Sequence, residues 1–184
     1  RVPYGTKSPS TIKKFSIENV LFLLNFNVKL IIIACNTSSA IGLPFLSKYF
    51  SVPMIGVIKP GAKAAIRSTR NGRVGVIGTT ATISSKAYEK EIKALNPKIK
   101  VYSKNCPLFV PLAEEGWAGD GIVDIAARKY LAGLKGKKID TMILGCTHYP
   151  LLKTAIQRMM GETVKLIDSA EETAKEAKNL LEEC

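Results

Sequence analysis

Short apolar runs alternate along this chain with longer stretches in which apolar residues recur every three or four positions. The runs "VKLIIIA" (28–34), "PMIGVI" (53–58), "VGVI" (74–77), "DTMILG" (140–145) and 164–167 are largely β-branched, which predicts buried strands, and Lys98–Ser103 predicts one more. Ser8 and Pro9 read as the N-cap and first position of a helix through residue 26. Further helices are expected over Ala40–Phe50, in the alanine-rich stretch after Lys59-Pro60-Gly61, and over Ile83–Leu95, Gly119–Leu134 and Leu151–Met160. The Glu89–Lys93 pair supports the third of these, and Asn96-Pro97 ends it. A last helix starts at Ala170, with Ala174, Ala177 and Leu181 on the same face. Residues 106–116 carry two prolines and predict irregular structure. Strands alternating with helices in this way predict an α/β fold with mainly parallel sheets, whose ligand sites lie beyond the carboxyl ends of the strands.

Three of those strand ends carry a small polar residue where core residues would otherwise continue: Cys35, Thr79 and Cys146. The elements "LIIIACNTSSA" and "TMILGCTHYPL" share one layout, an apolar strand, one small residue, a cysteine, hydrogen-bonding side chains and then a helix. The similarity suggests two related halves facing across a cleft. Two thiols on opposite faces of a substrate can remove a proton from a carbon and return one from the other side, because a thiol near its normal pKa serves as acid or base. Asn36, Thr37 and Thr147 could hold carboxylate or ammonium groups, aided by backbone N–H groups at the helix starts. The plainer alternative is two buried core thiols, since cysteine is among the most buried residue types. His148, the only histidine, either tunes Cys146 or is a half-buried residue at a helix start. Glu114 reads as a surface carboxylate, Cys106 as structural, and Cys184 as a terminal residue without a role.

Charge and composition trim the choices. The net charge of +12, from 27 Lys and Arg against 15 Asp and Glu, favours acidic ligands. The lysines are dispersed along helices without a nucleic-acid motif, so a solvated surface is expected in place of nucleic-acid binding. No apolar stretch has membrane-helix length. Four cysteines without a CxxC pair argue against a disulfide framework and zinc knuckles, and read as reduced cytoplasmic thiols.

Together, "VPYGTKS" (2–8), "ACNTSSA" (34–40), "VGVIGTTATI" (74–83) and "GCTHYPLL" (145–152) resemble the glutamate racemases of the aspartate/glutamate racemase superfamily, along essentially the whole chain. The resemblance implies two similar α/β domains with the substrate between them, and neither metal nor organic cofactor. It implies domains over 1–58 with 168–184 and over 59–167. It makes Cys35 the base for D-glutamate and Cys146 the base for L-glutamate. Tyr4 and Gly5 become a substrate-holding loop; Asn36, Thr37, Thr79, Thr147 and His148 become polar anchors; Glu114 becomes the acidic partner on the histidine side. Also implied are a bacterial cytoplasmic protein that supplies D-glutamate for peptidoglycan, and a homodimer. The family pattern places an Asp-Ser-Gly strand end before Arg1 and more of the first domain after Cys184, so that domain is expected to be incomplete here. The alternatives are a racemase of aspartate or a related amino acid, a thiol hydrolase using Cys146 and His148, and a basic binding protein or inactive racemase-like fragment.

Overall fold

A computed structural model describes residues 1–182, so Cys184 lies outside the described residues. The first helix, α1 (Pro9–Leu24), begins as its sequence predicts, with Ser8 Oγ accepting from the Thr11 N–H at 3.2 Å and Pro9 in the first turn. It turns Ile12, Ser16 and Val20 inward, four residues apart. Two parallel strands follow, β1 (Ile31–Ile33) and β2 (Met54–Gly56).

Between them the helix expected over Ala40–Phe50 is instead two short ones, α2 (Asn36–Ile41) and α3 (Leu43–Leu46). Cys35 is still extended (φ −76°, ψ 123°), so the helix starts at the next residue, and Asn36-Thr37-Ser38-Ser39 form its first turn. Those side chains have weak helix propensity. Long-range bonds hold them there, such as Ser39 Oγ to the Ile33 carbonyl at 2.7 Å. Pro44, in the first turn of α3, cannot continue α2.

The larger sheet is wholly parallel, in the order β4–β3–β5–β6, formed by β3 (Arg73–Gly78), β4 (Lys100–Asn105), β5 (Thr141–Gly145) and β6 (Lys165–Ile167). Both of its faces are covered, and the period-2 alternation of the central strands sorts their side chains between two cores. Val74, Val76 and Ile143 meet α4 (Ile58–Ser68) and the helix over Ala87–Leu95 on one face. Ile77, Met142 and Leu144 meet Phe109, Leu131, Tyr149 and Ile156 on the other.

The single helix expected over Ile83–Leu95 is α5 (Thr80–Ser84) and α6 (Ala87–Leu95), separated by Lys86 at φ 56°. Ser85 causes the break: its hydroxyl donates to the Thr82 carbonyl at 2.6 Å and accepts from the Ala87 N–H at 3.2 Å, in competition with the helix backbone.

Residues 106–116 are not irregular throughout, since α7 spans Phe109–Glu114. Pro111 is its third residue, where a backbone N–H would have no helical partner, so the ring is tolerated. Phe109 anchors this helix, fully buried and edge-on to Tyr130 and Tyr149 at 5.4 and 5.3 Å between ring centroids. Phe109→Ala should lower stability by about 3–5 kcal/mol in denaturant titration.

The chain finishes with α8 (Gly121–Lys135), capped by Asp120 Oδ1 at 2.9 Å from the Ile122 N–H, then a 3-10 turn, α9 (Lys153–Met160) and α10 (Ser169–Glu182). Helix α10 lies along α4, linked to it by Lys63–Glu176 at 3.4 Å and by Arg67–Glu172. No described helix is long and apolar enough to cross a membrane.

Candidate active site

Cys35 follows β1 in the small sheet and Cys146 follows β5 at the centre of the large one, so each thiol stands beyond the carboxyl end of a strand in its own sheet. Register sets a third residue beside Cys146. Gly78 of β3 pairs with Gly145 of β5, so Thr79 and Cys146 leave neighbouring strands at one level. The strand pair needs glycine there: a Cβ on Gly145 would stand 2.6 Å from the Ile77 carbonyl oxygen.

One cavity of about 340 Å³ receives all three. Tyr4, Gly5, Asn36, Thr37, Thr147 and His148 also line it. Of the residues singled out in the sequence, Glu114 alone is outside that lining, and it reaches the site through His148.

The Tyr4–Gly5 loop is laid directly on the start of α5, where the Gly5 carbonyl accepts from the Ala81 N–H at 3.0 Å. A Cβ on Gly5 would come within 2.6 Å of Thr79 Cβ, so a side chain there would push the loop off its support. Tyr4 Oη accepts from Asn19 Nδ2 of α1 at 3.5 Å.

Three hydroxyls close another part of the wall. Thr37 Oγ1 lies 2.9 Å from Thr79 Oγ1 and 3.1 Å from Thr82 Oγ1, and Thr79 and Thr82 are 3.0 Å apart. This triangle ties α2 of the small-sheet region to the end of β3. Asn36, 3 % exposed, accepts from Tyr88 Oη at 2.6 Å.

Burial pushes the Cys146 thiol up to about 11. The His148 backbone N–H opposes this, negative charge on Cys35 adds to it, and the Thr147 hydroxyl and Tyr149 N–H bring it back down in part. The thiol is therefore protonated at neutral pH and responds to the charge of the other sulfur. His148 Nδ1 is 3.6 Å from Cys146 Sγ, and His148 Nε2 is 3.1 Å from Glu114 Oε1. With Nε2–H donating to the carboxylate, Nδ1 is left to accept the thiol proton. Cys106 has a different surrounding: it is fully buried in the core, and burial pushes its thiol up to about 12. Among the described residues no group of three or more His, Cys, Asp or Glu side chains gathers in a way that could hold a metal ion.

Thr82, Tyr88 and Asn19 escaped the sequence reading. Thr82 had a faint signal, a hydroxyl three residues after Thr79 in the same turn. Tyr88 and Asn19 sit inside helices and carry no local mark of a site.

The glutamate racemase of Geobacter metallireducens is 55% identical over 175 residues, covering 95% of this chain and 65% of that protein. This chain thus spans just under two thirds of that relative's length. The crystal structure of a glutamate racemase isoform from Bacillus anthracis superposes with a TM-score of 0.96 at 44% identity, covering all of this chain and 69% of that one. The Francisella tularensis glutamate racemase, solved in complex with D-glutamate, gives a TM-score of 0.92 at 44% identity, covering 100% of this chain and 68% of that one. The family model described as Asp/Glu/Hydantoin racemase matches residues 1–177, a span that takes in both cysteine elements and the strands carrying them, and the chain belongs to that family.

Proposed function

We propose that this chain carries the two-thiol site of a cofactor-independent glutamate racemase, interconverting L- and D-glutamate. The observation that carries the proposal is that Cys35 and Cys146, from two separate sheets, open on one small cavity lined with hydrogen-bond donors. Its volume of about 340 Å³ suits a single small molecule. The relatives named glutamate racemase, one of them solved with D-glutamate, support the choice of substrate.

In the L-to-D direction the Cys146 thiolate takes the α-proton, the electron pair left on Cα spreads into the carboxylate, and the Cys35 thiol delivers its proton to the opposite face. Cys146 ends as a thiol and Cys35 as a thiolate, and the D-to-L direction reverses each transfer. Asn36, Thr37, Thr79 and Thr147 hold the substrate's polar groups and set Cα between the two sulfurs. His148, oriented by Glu114, takes the resting proton from Cys146 before that thiol acts as a base.

The two separate sheets support a boundary near residue 58 between the two units of the chain. A bacterial cytoplasmic role in supplying D-glutamate for peptidoglycan belongs to the same reading. Incubating L-glutamate with the purified protein in D2O tests it: D-glutamate carrying deuterium at Cα should accumulate without added cofactor. Conversion of aspartate but not glutamate would replace the substrate, and conversion of neither would overturn the reading.

A further inference from the structure

We propose that Tyr88 is a positioning residue for this site: its hydroxyl fixes the Asn36 side-chain amide so that the NH2 end, not the carbonyl, faces the cavity and binds the substrate's α-carboxylate. The proposal rests on the racemase reading for its ligand, whereas the orientation of the amide stands on geometry alone.

Tyr88 lies on α6, in the large-sheet region, and is 2 % exposed. Its Oη donates across to Asn36 Oδ1 at 2.6 Å, and Asn36 is the first residue of α2, directly after Cys35. Ser169, buried at the start of α10, stands beside the same phenol: a Cβ on Gly61 would lie 3.1 Å from Ser169 Cβ and 3.2 Å from Tyr88 Oη. With Oδ1 taken by the phenol, Nδ2 is the end of the amide left for the cavity that Asn36 lines. The reversed amide would give up the 2.6 Å bond from the phenol proton and would turn a carbonyl toward the substrate's carboxylate.

The ring is clamped as well as bonded. A Cβ on Gly61 of α4 would lie 3.2 Å from Tyr88 Oη, and one on Gly145 of β5 would lie 3.2 Å from its Cε2. Burial holds the phenol well above its ordinary pKa, with the negative charges of Asp168 and Cys146 adding to it, so it stays a donor throughout the working pH range. Tyr88 thus connects the α10 start, the large-sheet helices and the residue beside Cys35.

Tyr88→Phe keeps the ring and removes only the donor. A carboxylate contact made equally in the ground and transition states should appear in KM. The expected result is a KM about tenfold higher for both enantiomers, the worth of one hydrogen bond to a charged group, with kcat little changed. Asn36→Ala should raise KM similarly, and the Tyr88→Phe/Asn36→Ala double variant should be no worse than Asn36→Ala alone.

A second readout needs no turnover. The Asn36 side-chain NH2 resonance, identified by its loss in Asn36→Ala, should shift in Tyr88→Phe without substrate. An unmoved resonance overturns the orientation. A wild-type KM in Tyr88→Phe, with or without a lower Tm, overturns the positioning role, as does a double variant whose losses multiply. A shifted resonance in a protein that racemizes nothing upholds the Tyr88–Asn36 bond and places the failure on the glutamate reading.

Discussion

Alanine at either Cys35 or Cys146 is expected to cut glutamate interconversion by at least about 10³-fold, on the scale of losing a positioned acid or base. The two variants should not be equivalent. With Cys146 alone, the α-proton of L-glutamate can still be removed, but the carbanion is reprotonated from the face it left. Cys35→Ala should therefore exchange the α-hydrogen of L-glutamate with solvent deuterium while forming almost no D-glutamate. Cys146→Ala should do the same with D-glutamate. Proton NMR of each enantiomer in D2O reads exchange and inversion separately. Neither change should unfold the protein, because each removes one sulfur from a cavity wall and leaves the strand above it paired. Two-way racemization at the parent rate by either variant would end the two-base mechanism.

The strands of the two sheets were legible because β-branched runs in a sheet covered on both faces need no polar alternation, and 74–77 and 140–145 read that way. The strand ends were legible for a related reason: Cys35, Thr79 and Cys146 interrupt apolar runs where core residues would otherwise continue. What local pattern could not reveal was decided by tertiary bonds. Asn36-Thr37-Ser38-Ser39 read as hydrogen-bonding residues ahead of a helix, and became a helical turn because Thr79, Tyr88 and the Ile33 carbonyl bind its side chains. Ser85 split one helix into two through bonds its hydroxyl makes to its own backbone neighbours. Pro111 looked like a helix breaker but falls where a proline costs little.

The site shows the same division. Cysteines at matching strand ends suggested a pair, whereas bringing both to one cavity required two sheets to meet. Glu114 had no physical mark in the sequence; the family resemblance singled it out, and the fold sets its carboxylate against His148. Tyr88 had neither mark, because a tyrosine on a helix face reads as core until its hydroxyl is seen to leave the core for Asn36.

Alkylation of Cys146 should be slow at neutral pH and accelerate steeply with alkali. Iodoacetamide reacts with thiolate, and a thiol pushed up to about 11 has roughly 10⁻⁴ of its population ionised at pH 7. The rate, followed by peptide mass mapping so that Cys35 and Cys106 are scored separately, should rise about tenfold per pH unit until near pH 11. At pH 8 it should be about 240-fold slower than in the unfolded chain, whose thiols ionise near 8.5. The same raised value has a stability consequence with a fixed sign. Between about pH 8.5 and 11 the unfolded chain loses this proton while the folded chain keeps it, so stability is full below that window and falls through it. Cys106 extends the loss to about 12. Because negative charge on Cys35 contributes to the shift, Cys35→Ala should make Cys146 alkylate faster in alkali. That acceleration reads the coupling of the two sulfurs without any substrate. An unchanged rate at Cys146 would mean that the two sulfurs do not sense each other's charge in the empty site.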